Sequence, residues 1–172
     1  MSNLYLVGFM GAGKSAAGRV LAERLGRPFL DLDELIEQRL GMSLFEVFAR
    51  RGEPAFRKAE QEALAGVGRV GGAVVAAGGG AFVEPANREV MHAGGGRSAF
   101  LDVPWPVLAE RLGRDHGGRP LWSDDGAARR LYDARRPHYL GATWTVALDG
   151  SETPSEVAQR VASLASGAAC DT

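Results

Sequence analysis

The residues from Gly8 to Ser15, GFMGAGKS, set three glycines ahead of one lysine and one hydroxyl. Lysine is scarce in this chain. Of 20 Lys and Arg residues, lysine stands only at Lys14 and Lys58. The spacing Gly-x-x-x-x-Gly-Lys-Ser is that of a phosphate-binding loop, provided that a strand precedes it and a helix follows. Glycines let the backbone curl until several N–H groups face one anion. A helix beginning there adds the positive end of its dipole. A compact ammonium on a flexible stem reaches between the β- and γ-phosphates of a nucleotide, where a planar guanidinium fits poorly. The hydroxyl of Ser15 suits Mg²⁺. The loop therefore points to a nucleoside triphosphate and leaves the acceptor open.

Further along, Asp31 and Asp33 stand two apart in FLDLDE, at what reads as a strand end, and so face one side. One carboxylate can serve Mg²⁺ through water and the other can accept hydrogen bonds from hydroxyls; the plainer reading is one helix cap and one solvated aspartate. Arg57 and Glu60 are three apart on a helix, the spacing of an ordinary surface ion pair. Gly78-Gly79-Gly80 leaves an apolar strand, either as a flexible turn or as a place where a ligand meets the backbone. Arg119 sits in the polar stretch RDHGGRPLW. Arg135 and Arg136 fall at a helix end, where cations also suit the dipole.

These residues need elements to hold them. LYLVG (residues 4–8), PFLDLD, AVVAA (residues 73–77), SAFLDV and TWTVAL read as five short strands. Helical patterns lie between them: about 13–25, a helix before Gly41 with Asp33 placed as its cap, one opened by Ser43 with Glu46 that stops near Gly52, and one starting around Pro54. Others begin at Pro85 and Pro106, run up to Tyr139, and follow Thr153. Strands alternating with helices imply an α/β fold with a parallel sheet covered on both faces, which binds ligands at the carboxyl ends of its strands. The 172 residues suit a single domain. A net charge of −1 gives no basic field for nucleic acid. One cysteine, Cys170, excludes a disulfide framework or a cysteine-built metal site. No apolar run reaches bilayer length and the N-terminus lacks a charged signal-like region, so a cytoplasmic protein, without membrane or nucleic-acid partners, is expected.

From Gly8 to Tyr139 the chain resembles the shikimate kinases. The resemblance rests on GFMGAGKS, FLDLDELIEQ, GMSLFEVFARRGEPAFRKAE, GGGA, RPL and RRPHY, in order and at comparable spacing. It implies a nucleoside-monophosphate-kinase-like P-loop fold with a mobile lid at about 113–125 and substrate-binding helices at about 33–62. It implies ATP-dependent phosphorylation of shikimate at its 3-hydroxyl, with Mg²⁺, by a monomer. Gly11, Ala12, Gly13, Lys14, Ser15 and Ala16 would hold the nucleotide, with Arg119 closing on its phosphates. Ser15 would bind Mg²⁺, assisted by Asp31. Asp33 would bind ring hydroxyls, as a base or only as an orienting group. Arg57 and Arg135 would grip the substrate carboxylate, Gly79 would offer its backbone, and Phe48 and Phe56 would wall the pocket. Lys14, Asp33 and Arg119 would be the catalytic set. Pro137 fixes the choice of Arg135 over Arg136, because the family arginine stands two before the proline. A kinase of the same architecture for gluconate, a nucleoside monophosphate or another small molecule, or a nucleotide-binding regulatory module, is the competing expectation.

Overall fold

The computed structural model describes residues 1–114 and 125–167. Among them lies a parallel sheet of five strands, β1 Leu4–Val7, β2 Phe29–Asp31, β3 Val74–Ala76, β4 Arg97–Asp102 and β5 Trp144–Ala147. Their spatial order is β2-β3-β1-β4-β5. The central β1 is buried at every position, as an apolar strand covered on both faces must be. It pairs with β3 on one side, Leu4 opposite Val74, and with β4 on the other, Leu4 opposite Arg97. The chain leaves β1 in one direction and crosses to β4 in the other. The carboxyl end of β1 is therefore the switch point of the sheet, where such folds open a crevice. The five strands expected from the sequence are all present, each within a residue or two at either end.

The helices are α1 Lys14–Leu25, α2 Leu32–Leu40, α3 Leu44–Val70, α4 Pro85–His92, α5 Trp105–Arg114, α6 Asp125–Tyr139 and α7 Pro154–Gly167, with a short 3₁₀ turn at Ala93–Gly95. Ser43 and Glu46 form the expected capping box of α3. Gly52, with φ 76° and ψ 173°, breaks α3 before Pro54, so the span holds two helices joined at a kink, the anticipated stop and restart. A left-handed residue costs a side chain about 1 kcal/mol or more, which glycine escapes. Asp33 does not cap α2. Asp31 does, its side chain accepting from the Asp33 N–H at 3.1 Å. The strand passes into the helix with no intervening loop, so the cap is the last strand residue.

The core runs along both faces of the sheet. Leu6, Val75 and Phe100 from the strands pack among Leu21, Ile36, Leu64, Leu108 and Val161 from the helices. Phe9, at the start of the phosphate-loop segment, is buried against Trp105 of α5 and Tyr132 of α6, with ring centres 6.3 and 5.5 Å away. The expected lid at 113–125 falls largely, and Arg119 entirely, outside the described residues. Among the described residues no helix is long and apolar enough to cross a membrane.

Candidate active site

The segment after β1 turns at Gly11 and Gly13 into the N-terminus of α1. Lys14 Nζ donates to the carbonyls of Gly8 at 3.0 Å and Phe9 at 2.9 Å, so the ammonium lies across the loop that precedes it. Ser15 Oγ donates to Asp31 Oδ2 at 2.5 Å, while Asp31 Oδ1 holds the cap of α2. The serine hydroxyl and the aspartate thus form a fixed pair of hard oxygen donors beside the loop. Among the described residues no group of three His, Cys, Asp or Glu side chains could hold a metal by itself. One hydroxyl and one carboxylate fit Mg²⁺, which takes one or two protein oxygens and completes its shell with phosphates and water. Ala12 is buried, and its N–H closes a turn onto the Phe9 carbonyl at 3.2 Å. Arg111, on α5, was not singled out by the sequence. It donates to the carbonyls of Gly11 and Gly150, both at 3.1 Å, and so ties the phosphate loop to the loop after β5.

Next to this loop is a cavity of about 550 Å³. Gly11, Gly13, Lys14, Ser15, Ala16 and Asp31 form its side toward the glycine-rich loop. Asp33, Phe48, Phe56, Arg57, Gly79 and Arg135 form the other, so twelve of the fourteen expected site residues meet there, Ala12 and Arg119 excepted. Phe48 and Phe56, from either side of the α3 kink, lie with ring centres 4.7 Å apart and make an apolar wall.

The triple glycine is a mould for three charged side chains. A Cβ on Gly78 would lie 2.9 Å from Asp33 Oδ1, and one on Gly80 would lie 2.4 Å from Arg57 Nη1. On Gly79 it would meet Arg135 Nη1 at 3.5 Å, an ordinary contact. None of the three has a positive φ, so close approach and not backbone conformation calls for glycine at positions 78 and 80. Gly80→Ala is expected to displace the flexible guanidinium and leave the fold intact. The acceptor KM should rise about tenfold, as for one weakened charged hydrogen bond, with the ATP KM unchanged. Steady-state kinetics beside Gly79→Ala as the mild control checks this.

Glu60 is the residue whose place the sequence misjudged. Its spacing from Arg57 suggested a surface pair, but its side chain is 1% exposed. Its Oε2 accepts from Arg57 Nη1 at 3.0 Å. Its Oε1 is buried with no hydrogen-bond partner among the described residues. Burial pushes this carboxyl above its usual range, against the pull of Arg57 and with a push from Asp33. Burial also works to lower Arg57, but Glu60 and Glu53 outweigh it and its guanidinium lies above the ordinary value. Arg135 goes the other way. Burial lowers it and the like charge of Arg57 adds to that, despite the neighbouring Tyr139. The Tyr139 hydroxyl donates to the Gly79 carbonyl, and burial pushes it up to about 12. Two guanidinium groups beside a glycine backbone have the chemistry to take a carboxylate. A carboxylate at Asp33 beside it can take hydroxyls.

Residues 10–165 match the family model described as shikimate kinase. The chain belongs to the shikimate kinase family. Its members are ATP-dependent kinases that phosphorylate an alcohol acceptor, and this chain is one of them by sequence along most of its length. A shikimate kinase of Synechococcus sp. (strain CC9605) is 41% identical over 165 residues, covering 94% of this chain and 81% of the relative. One from Nostoc sp. is 41% identical over 162 residues, covering 92% and 88%. The solved shikimate kinase of Acinetobacter baumannii, in complex with shikimate, superposes with a TM-score of 0.92 at 34% identity and covers 99% of this chain and 96% of that one. A gluconokinase of Sinorhizobium meliloti reaches a TM-score of 0.58 at 21% identity, covering 96% of this chain and 94% of that one, and shares the fold alone.

Proposed function

We propose that the residues gathered in this cavity carry out phosphoryl transfer from ATP to the 3-hydroxyl of shikimate, giving shikimate 3-phosphate and ADP. The observation that carries the reading is the set of Asp33, Arg135 and Arg57 placed against three successive glycines, within one cavity with the phosphate loop. Arg57 and Arg135 take the ring carboxylate in forked hydrogen bonds, with the Gly79 backbone beside them. Asp33 accepts from the attacking hydroxyl, holds it in line, and receives its proton. Phe48 and Phe56 cover the apolar part of the ring.

Phosphoryl transfer requires little covalent help from the protein; positioning and charge neutralisation supply most of the rate. Lys14 and the amides of residues 11–16 bind the phosphates, and Arg119 is assigned to the same task on the family resemblance. Ser15 and Asp31 would hold Mg²⁺, which when bound would neutralise charge on the nucleotide phosphates. The enzyme is assigned to the cytoplasm as a monomer.

The test is ADP release with ATP and Mg²⁺ in the presence of shikimate, gluconate, nucleoside monophosphates or no acceptor. Release that depends on shikimate is expected. Release driven by gluconate or another acceptor would keep the fold and the nucleotide site and discard Arg57 and Arg135 as the grip on shikimate. Tight ATP binding without any release would favour a regulatory module.

A further inference from the structure

Arg135 and Arg136 are neighbours in sequence and point about 100° apart around α6. Arg135 lines the cavity beside Arg57. Arg136 reaches the carboxyl end of β4 instead, where Nε donates to Asp102 Oδ1 at 3.0 Å and Nη2 to Oδ2 at 2.6 Å. This two-pronged pair is the geometry a guanidinium makes with a carboxylate and an ammonium cannot. The side chain of Asp102 is 15% exposed, against 41% for Arg136. The backbone of Asp102 is fixed within the sheet, opposite Ala147 of β5 and accepting from the Leu148 N–H at 3.0 Å.

We propose that Asp102 is a positioning residue, whose forked pair with Arg136 sets the rotation of α6 and so keeps Arg135 in the carboxylate end of the cavity. Two observations call for such a clamp. First, Arg135 lines the cavity half-buried beside the like charge of Arg57, an arrangement its flexible side chain would otherwise relax by turning outward. Second, Pro137 stands inside the last turn of α6. A proline there supplies no N–H to the carbonyl four residues back and crowds it, so the helix cannot define this turn by its backbone alone. Side chains pin it instead: Tyr139 donates to the Gly79 carbonyl and Arg136 to Asp102, while one turn earlier Tyr132 donates to the Val103 carbonyl at 3.3 Å. Of these, the Arg136 pair lies next in sequence to Arg135.

The inference rests on the reading of Arg135 as a carboxylate anchor, and its test has one arm that does not. In steady-state kinetics Asp102→Asn and Arg136→Ala should each raise the shikimate KM about tenfold, with kcat and the ATP KM held within about twofold, the split expected when ground-state binding alone is lost. The double variant should be no worse than either single one, since both remove the same contact. Arg136→Lys should recover little, because the charge returns without the fork, and it also stands in if Asp102→Asn does not fold. In the second arm, phenylglyoxal labelling followed by mass spectrometry should show Arg135 reacting several-fold faster in Asp102→Asn than in the parent. An unchanged shikimate KM, or a parallel rise in both KM values, overturns the proposal. If the parent does not use shikimate, the functional reading falls and the labelling decides: equal rates at Arg135 overturn the clamp, and a faster rate sustains it.

Discussion

Asp33→Asn should fold as the parent does and lose about 10²- to 10⁴-fold in kcat, the usual worth of a positioned acid or base. Asp33 lies in the first turn of α2 and lines the cavity, with Oδ1 turned toward Gly78. Asparagine keeps the size and one oxygen but cannot take a proton, and its NH₂ group faces a hydroxyl that needs an acceptor. Helix α2 is capped by Asp31 and not by Asp33, so the fold loses no cap. Single-turnover rates with circular dichroism as the folding control would decide it. A near-normal kcat would remove Asp33 from the chemistry and leave it only a part in binding.

Arg135→Ala should raise the shikimate KM by about 2–5 kcal/mol of lost binding, the range for removing one partner of a buried charge pair. That is roughly thirty- to several-thousand-fold. The loss should be large because the substrate carboxylate would be left with Arg57, whose charge is already shared with Glu60 and Glu53. The same substitution should cost no stability and could add some, since Arg135 is held against burial and the like charge of Arg57. Titration of the variant with shikimate, beside a thermal melt, checks both halves. Unchanged shikimate kinetics would sink the carboxylate assignment.

The parts of this site differ in how far the sequence alone reveals them. The phosphate loop is local. Its glycines, lysine and serine fall within eight residues between a strand and a helix, so motif and context can be read together. Asp33, Arg57, Gly79 and Arg135 come from α2, α3, the segment after β3, and α6, and only the family resemblance joined them before the structure did. Glu60 shows the limit of spacing. An i,i+3 pair on a helix looks the same whether it faces water or a cavity, and only the packing of α3 against α2 and α4 around the cavity tells which. Arg111 reaches a carbonyl 100 residues away, a contact that no local pattern encodes. The cap of α2 was misplaced by two residues because β2 and α2 share a border without a loop, which removes the usual turn signal. The α3 kink was legible because Gly52 and Pro54 each carry their own backbone rule.

The triple-glycine mould also bears on drug resistance. An inhibitor seated on Gly78 and Gly80 would touch a surface that the chain has little freedom to remodel. A larger residue at position 80 evicts Arg57, and one at position 78 displaces Asp33. On the proposed carboxylate role, escape by changing Arg57 or Arg135 would weaken the natural substrate together with the inhibitor. Resistant variants should therefore arise on the uncharged wall, at Leu44, Phe48 or Phe56, where shape can change and the charge pattern stay. A compound confined to the glycine mould and its charged side chains would give them little to exploit.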